Sequence, residues 1–436
     1  MKNVTFIGAG YVGLVSGAGI SDFGHKVTCY DISLEKIRSL KNNDIPIYEP
    51  GLKELIKKNT NAGRLFFSNN AKSSIENADV IFIAVGTPLD ENGVTDLREI
   101  ESAALMIGQH LNSHSVVCTK STVPIGTGAK IIEIINRSKK TDISFDYISN
   151  PEFLREGSAV NDFLWPDRII IGGSNEFAFD TMKEIYGPLF KNKQPIMYTT
   201  VTTAEMIKYA SNSFLALKIS YINEVANLCE SLGADVKQVS KAMGQDGRIS
   251  PKFLHPGPGY GGSCFPKDTR EFVAIGRKNG NFIRTIEAAI KTNEEQKLRM
   301  VKKIKKLIGG NFENKIIGIL GLSFKSNTDD VRESSSVEMI KIIRDEGGKI
   351  NAFDPVAGDS MKKLFPDICY KSSWEEACSD ADGAVIMTEW NEFRGISLSK
   401  LKSIMKTPIL LDTRNIIPIE KLKENGFHFD NVGHIF

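Results

Sequence analysis

Asn3-Val4-Thr5-Phe6-Ile7-Gly8-Ala9-Gly10-Tyr11-Val12-Gly13 carries a short apolar run directly into the pattern G-x-G-x-x-G. That pattern alone is common. Here it follows a strand-like segment at 3–7 and opens a helical segment at 12–23. The next strand-like segment, 25–30, ends at Asp31. Each glycine then has a separate task. Gly8 permits the tight turn, Gly10 lets backbone approach a pyrophosphate, and Gly13 lets helix and strand pack closely. The helix start supplies amide donors and positive potential for phosphates. A carboxylate at Asp31 accepts hydrogen bonds from ribose hydroxyls and repels a 2′-phosphate, so NAD is expected rather than NADP.

Further strand-like segments follow at 78–85, 115–120, 147–149 and 168–172, alternating with helical ones. Such alternation predicts a parallel sheet covered on both faces. Gly86-Thr87-Pro88, just past the third strand, falls at the carboxyl edge where a dinucleotide lies. From residue 203 to about 232 there is no proline or internal glycine, and apolar residues recur at helical spacing, so a long helix ended by Gly233 is expected. More helical sequence runs to about 307, interrupted by a Gly/Pro-dense loop at 249–268. Alternation then returns, with strands at 315–320, 349–353, 383–387 and 409–412 and a helix at 335–345.

The expected architecture is α/β: two doubly wound, Rossmann-like parallel-sheet domains joined by a long central helix and a helical core. The boundaries are drawn at 1–200, 201–308 and 309–436. The two ends share one plan, which leaves internal duplication open. The second end lacks G-x-G-x-x-G, keeping only Gly318 and Gly321, so it is not expected to hold a second dinucleotide in the same way.

Composition excludes several classes. With 436 residues, 41% apolar and 25% charged, the chain has the balance of an ordinary globular protein. Its apolar runs are strand-length, far short of the ~20 residues a membrane span needs. A net charge of +2 gives no electrostatic reason to expect nucleic acid or membrane binding. The run Lys302-Lys303-Ile304-Lys305-Lys306 is expected to be the solvated face of a helix. The six cysteines and six histidines form no metal-spaced cluster, so no metal is expected. Strand-like residues begin at Val4, which leaves no room for a secretory leader, and the cytoplasm is the expected compartment.

Residues 257–268, Gly-Pro-Gly-Tyr-Gly-Gly-Ser-Cys-Phe-Pro-Lys-Asp, set Cys264 after four glycines in six residues, with Lys267 and Asp268 following. Adjacent positive charge or a helix start lowers a thiol's pKa from its usual ~8.5 toward a reactive thiolate. Cys264 is therefore read as chemical. Cys29, Cys118, Cys229, Cys369 and Cys378 are read as small buried apolar residues. Lys208 and Asn212 share a helix face at i,i+4; from spacing alone, a snorkelling lysine and a surface asparagine suffice. Glu152 and Glu156 repeat the spacing and are equally ambiguous.

Taken together, GAGYVG, IPIYEPGL (45–52), VGTP, KSTVPIGT (120–127), NPEFLREGSAV, AEMIKYASNSFLALKISYINE, KFLHPGPGYGGSCFPKD and SFKSNTDDVRES (323–334) resemble the nucleotide-sugar 6-dehydrogenase family nearly end to end. The resemblance implies a four-electron oxidation of a sugar's C6 alcohol to an acid, two NAD per sugar, with UDP-glucose as substrate and a homodimer as the assembly. It implies Cys264 as nucleophile, Lys208 and Asn212 as oxyanion donors, Asp268 as an aid to water chemistry, Glu152 as a candidate base, and Thr122 and Glu156 beside the nicotinamide and an ordered water. Cofactor contacts would be Gly8, Gly10, Tyr11, Val12, Gly13, Asp31, Lys36, Thr87, Thr122, Glu156, Lys267 and Arg332. Sugar-nucleotide contacts would come from Glu152, Phe153, Leu154, Arg155, Glu156, Lys208, Asn212, Phe253, Leu254, His255, Pro256, Gly257, Gly261 and Lys325, with Arg248 reaching across a dimer interface. A GDP-mannose enzyme would share the chemistry and read another base. A two-electron hydroxyacid dehydrogenase or a non-catalytic NAD sensor would have no use for Cys264.

Overall fold

The computed structural model describes residues 1–90, 93–140, 142–191 and 195–434. The chain divides into two compact units, Met1–Ser211 and Asn212–Phe436.

In the first unit the described strands are β1 (Asn3–Ile7), β2 (Lys26–Tyr30), β3 (Leu65–Ser68), β4 (Val80–Ile83), β5 (Ser115–Thr119), β6 (Phe145–Ser149), β7 (Ile169–Gly172) and β8 (Ile196–Thr199). They form one sheet in the order β3-β2-β1-β4-β5-β6-β7-β8. Apolar clusters cover both faces, one around Phe6, Leu14, Phe82 and Phe163, the other around Ile81, Ile83, Ile107 and Ile131. That is why β4 is buried at every position and reads as an unbroken apolar run. The sheet departs from the expected all-parallel form at one place: β7 runs antiparallel to β6, pairing through Ser149 and Gly172. The strands β3 and β8 are additions to the expected set. Both lie at sheet edges, are four residues long and keep partly exposed side chains, so each offers only a three-residue apolar run, Leu65-Phe66-Phe67 and Ile196-Met197-Tyr198.

The second unit's described strands are β9 (Ile316–Leu320), β10 (Lys349–Phe353), β11 (Cys369–Tyr370), β12 (Gly383–Ile386), β13 (Ile409–Asp412) and β14 (His428–Asp430), ordered β11-β10-β9-β12-β13-β14 and all parallel. This is the order of the first unit's first six strands. The repeat extends to single hydrogen bonds. Gly8 N donates to Tyr30 O and Gly321 N to Phe353 O, both at 2.8 Å. Ala84 N donates to Ile7 O and Met387 N to Leu320 O, again both at 2.8 Å. Asn3 N donates to Asp79 at 2.7 Å and Ile316 N to Asp382 at 2.9 Å. A shared strand order does not require such agreement, and it favours internal duplication.

The repeat diverges at the turn. Where the first unit has Ala9-Gly10, the second has Leu322-Ser323, whose amides reach Asp354 Oδ2 at 2.7 and 3.2 Å. The Trp390 indole donates to the same oxygen at 3.1 Å. The carboxylate corresponding to Asp31 is thus taken up by its own unit. Gly318 lies within β9, where an added Cβ would come 2.9 Å from Ala377 O. It serves packing, not the turn.

The long helix spans Val201–Leu232. It ends where Gly233 adopts φ +80° and its amide returns to Cys229 O. In the second unit it lies against the helix Arg284–Leu307 through Ser220–Ala289, Asn227–Gln296 and Glu230–Arg299 hydrogen bonds. Two expectations fail here. Lys303 is not on a solvated face: its ammonium meets Glu230 at 2.8 Å, Asp430 at 2.9 Å and Asn431 O at 2.7 Å. Only the spacing of Val301 and Ile304 was legible, and the acidic partners come from distant segments. Cys369 is exposed, because it sits on the edge strand β11.

Gly24 and Gly321 allow a test of what space and backbone conformation each contribute. Both have φ near +100°, but a Cβ at Gly24 meets nothing within 4 Å, whereas at Gly321 it would lie 2.4 Å from Thr388 Cβ. Gly24→Ala should cost about 1 kcal/mol from φ alone, and Gly321→Ala about 3 kcal/mol. Urea midpoints at unchanged m-value check this; equal losses would show that the close approach does not matter.

Candidate active site

The dinucleotide turn divides its glycines by function. An added Cβ at Gly8 would lie 2.5 Å from Ala84 O, and one at Gly13 would lie 1.9 Å from Gly8 O. Gly8 also has φ +104°. At Gly10 an added Cβ meets nothing within 4 Å. Gly8 and Gly13 therefore permit packing, and Gly10 leaves open space over the start of the helix Tyr11–Asp22. Asp31 is buried and accepts from Ala9 N at 3.0 Å, Ser33 N at 2.9 Å and Lys36 Nζ at 2.8 Å. Burial works against its charge, but Lys36 and the two amides outweigh burial and hold the carboxyl below its usual range. Two carboxylate oxygens offer about four acceptor sites, so three donors leave room for a ribose hydroxyl. The open cradle and the retained acceptor fit an NAD molecule. Thr87 and Thr122 are half-buried beyond β4 and β5, and Ser121 Oγ donates to Val85 O at 2.7 Å.

Glu49, in the stretch IPIYEPGL, was not singled out from sequence. Its buried carboxylate accepts from the Tyr11 hydroxyl, from Gly157 N at 2.6 Å and from Ala159 N at 2.7 Å. It ties the first helix to the loop carrying Glu152 and Glu156. Burial and Glu49 push the Tyr11 phenol far above its ordinary value, so it stays a donor. Its only sequence signal is a lone acid within an apolar, Pro-flanked segment.

Lys208 is not a surface lysine. It is 3% exposed, and its ammonium donates to Glu152 Oε1 at 2.9 Å and Glu152 O at 2.6 Å. Leu154 N caps the other Glu152 oxygen at 2.5 Å. The Phe153 ring lies under the Arg168 guanidinium, 3.5 Å away, with Lys208 Nζ 5.1 Å from its centroid. The i,i+4 spacing of Glu152 and Glu156 is not helical, since the segment is a loop and turn. Arg155 is exposed and turned toward Asp162 at 2.5 Å.

In the second unit Cys264 is the N-cap of the helix Phe265–Lys278. The helix start places its positive end at the thiol. Asp268, one turn on, is fully buried; it accepts from Asn212 Nδ2 at 2.6 Å and Lys267 Nζ at 2.5 Å. Asn212 is therefore no surface residue either. Ser263 Oγ lies 3.5 Å from the Cys264 sulfur. By contrast, burial pushes the Cys29 and Cys378 thiols up to about 12.

Three buried amides grip the glycine loop. Gly257 N donates to Asn223 at 2.8 Å and Gln296 donates to Gly257 O at 2.9 Å. Asn293 both accepts from Tyr260 N at 2.7 Å and donates to Tyr260 O at 3.0 Å. Gly261 packs so close that an added Cβ would sit 2.3 Å from Glu333 O, while Gly262 N donates to Arg332 O at 2.9 Å. The loop thus lies on the segment that carries Lys325 and Arg332. Arg332 pairs with Asp330 at 2.7 Å. Phe253 holds φ +65°, Leu254 is buried and His255 is exposed. Arg414 was also not singled out; an added Cβ at Gly257 would lie 3.6 Å from its guanidinium, which donates to Phe324 O at 2.8 Å. Arg248 stands on an exposed turn, paired with Asp246 at 2.6 Å.

Among the described residues, no helix is long and apolar enough to cross a membrane. Nor, among them, does any group of three or more His, Cys, Asp or Glu side chains stand ready to hold a metal ion.

Residues 2–190, 202–295 and 318–419 match the NAD-binding, central and UDP-binding domain models of the UDP-glucose/GDP-mannose dehydrogenase family. The chain is 46% identical over 433 residues to UDP-glucose 6-dehydrogenase of Rhizobium meliloti, covering 99% of both chains. It is 43% identical to UDP-glucose 6-dehydrogenase TuaD of Bacillus subtilis, covering 99% of this chain and 93% of the relative. A UDP-glucose dehydrogenase structure from Pyrobaculum islandicum superposes with a TM-score of 0.93 at 34% identity, covering 100% of this chain and 98% of that one.

The Asp31–Lys36 pair generates a prediction on cofactor choice. Asp31→Ala removes the carboxylate expected to accept from the ribose and releases the Lys36 ammonium paired with it at 2.8 Å. NAD binding should weaken, and the preference for NAD over NADP should narrow by about tenfold or more, the scale of a charged hydrogen bond. Titration of both cofactors checks it; an unchanged ratio would remove Asp31 from cofactor recognition.

Proposed function

The chain belongs to the UDP-glucose/GDP-mannose dehydrogenase family, and on that premise we propose that it oxidises UDP-glucose to UDP-glucuronate with NAD. The observation that carries the reading is Cys264 at the start of a helix, with Asp268 held one turn on between Asn212 and Lys267. An NAD sensor or a two-electron dehydrogenase needs no such thiol. We propose the three-part division 1–200, 201–308 and 309–436 for cofactor, core and UDP-sugar.

NAD, when bound, accepts hydride two electrons at a time, so taking a primary alcohol to an acid uses two. The chain's residues supply the rest. In the first oxidation the C6 hydroxyl proton passes to the Glu152–Lys208 pair, directly or through a water held by Thr122 and Glu156. In the second, the Cys264 thiolate attacks the aldehyde carbon and forms a C–S bond. Lys208 and Asn212 donate to the oxygen on which charge develops. Loss of hydride from the thiohemiacetal leaves a thioester. Water adds to it with Asp268 accepting one proton, the C–S bond breaks to free the thiolate, and the product acid gives its remaining proton to solvent to leave the carboxylate. Covalent capture keeps the aldehyde from escaping. Gly8, Gly10, Tyr11, Val12, Gly13, Asp31, Lys36, Thr87, Lys267 and Arg332 are assigned to NAD. Phe153, Leu154, Arg155, residues 253–257, Gly261 and Lys325 are assigned to the sugar nucleotide.

A homodimer completes the proposal. On the long helix Phe214, Tyr221, Leu228 and Leu232 are exposed, by 60, 48, 58 and 73%, at near-heptad spacing, a seam suited to a second copy. The exposed Arg248 would then contact the partner's substrate. Free thiols among all six cysteines suit the reducing cytoplasm.

Stoichiometry tests the function. The wild type should yield two NADH per UDP-glucose, release UDP-glucuronate and no free aldehyde, and turn over GDP-mannose poorly. Cys264→Ala should lose more than about 10³-fold in kcat. Cys264→Ser should show at most slow build-up of a covalent sugar adduct by intact mass. A Cys264→Ala enzyme still giving two NADH at a near-normal rate would make the thiol structural, and preferred GDP-mannose turnover would move the substrate.

The dimer has its own test. Arg248→Ala and Cys264→Ala chains, each inactive alone, should recover activity when mixed, since one of the two sites in a hybrid keeps both residues. No recovery despite demonstrated subunit exchange would place Arg248 outside the site.

A further inference from the structure

Lys120 is a buried cation to which the proposed mechanism gives no task. It follows β5, is 4% exposed, and donates to Asn150 Oδ1 at 3.1 Å and the Tyr186 hydroxyl at 3.2 Å. The Tyr186 hydroxyl also donates to Asn150 Oδ1 at 2.6 Å, and Asn150 Nδ2 donates to Ile170 O at 2.7 Å. Among the described residues no carboxylate lies within ion-pair distance of this ammonium. A neutral methionine would fill the space without the cost of burying a charge.

The groups around it show what the charge reaches. Burial pulls the Lys120 ammonium down to about 8; Glu152 favours its charge, and Lys208 opposes it. The Cys118 thiol and the Tyr186 phenol are both pushed up by burial and stay neutral. What remains is a field in which the Lys120 and Lys208 ammoniums face the Glu152 carboxylate, which the Arg168 guanidinium, half-buried on the Phe153 ring beside Asp167, also reaches. The excess positive charge favours an oxygen anion and opposes a proton held on Lys208. The backbone adds to this. Lys120 directly precedes Ser121-Thr122, and its Asn150 partner directly precedes Pro151-Glu152, so one side chain ties the two loops that carry the proposed acid–base groups.

We infer that Lys120 is a positioning residue for the first oxidation: its ammonium, anchored on Asn150 and Tyr186, eases proton release at the Lys208–Glu152 pair and holds the two loops together. The inference rests on the catalytic reading of Lys208.

The test is the pH dependence of kcat for Lys120→Met and Lys120→Arg. Removing a positive charge raises the pKa of its neighbours. The acid limb of the Lys120→Met profile should therefore move up by about one pH unit, a tenfold loss at fixed pH on that limb that is recovered at higher pH. Lys120→Arg keeps the charge and should keep the wild-type limb. A uniform loss at every pH, with no shift, would make Lys120 merely structural and overturn the inference. If Lys120→Met does not fold, Tyr186→Phe serves: with one acceptor gone, Lys120 is less often charged and the limb should move the same way by less. No movement there would equally overturn it. Lys208→Met separates the two readings. Near-normal turnover in that variant would sink the catalytic role of Lys208, whereas an inactive Lys208→Met beside an unshifted Lys120→Met would sink only the role given to Lys120.

Discussion

The backbone turn at Gly8 is the constraint on which the first unit's chemistry depends. Its φ of +104° and the 2.5 Å that a side chain would have from Ala84 O leave glycine alone able to make it. The turn aims the start of the following helix at the sheet's carboxyl edge, where unpaired amides attract phosphate. Gly321 makes the same turn in the second unit at φ +96°. There Leu322 and Ser323 replace the open cradle, and Trp390 takes up the corresponding carboxylate. One backbone geometry thus recurs in both units, and the residues just after the turn differ: an open cradle at Gly10 in one, a carboxylate taken up by its own unit in the other.

The buried charges follow a second rule. A carboxylate out of water is tolerated when backbone amides and cations satisfy it. Glu49, Glu152, Asp268, Asp354 and Asp412 are each met this way. Glu49 and Asp354 spend their oxygens on backbone and neighbouring side chains, and they hold shape. Glu152 and Asp268 meet Lys208, Lys267 and Asn212, groups that can exchange protons or donate to a substrate. On the proposed mechanism, the distinction between scaffold and chemistry lies in the partners, not in the residue type.

Precision around the thiol comes from side-chain amides. A loop with four glycines in six residues is entropically costly to order. Asn223, Asn293 and Gln296 bind its backbone at Gly257 and Tyr260, and Arg332 O receives Gly262 N. Glycine is needed at 261 and 262 because the loop lies directly on Glu333 and Phe324. The same residues that would make the loop floppy in isolation allow it to be held tightly once the surrounding helices are in place.

Local pattern decided much of this protein. The strand, the three glycines and Asp31 specified the cofactor turn, because the φ, spacing and charge it needs are written within thirty residues. The helix ending at Gly233 and strands such as β10 and β13 were legible for the same reason: their periodicity and breakers are local. Other features were decided only by tertiary contact. Spacing alone made Lys208 and Asn212 surface residues, and only the resemblance gave them a task; their partners Glu152 and Asp268, each 56 positions away, are set by the fold. Lys303 read as solvated until Glu230 and Asp430 met it. The antiparallel β7, the clamp from Asn293 and the buried ammonium of Lys120 have no signature in sequence spacing. Periodicity reports which face of an element is apolar, whereas the partner of a buried charge is set by which distant segments the fold brings within three ångströms.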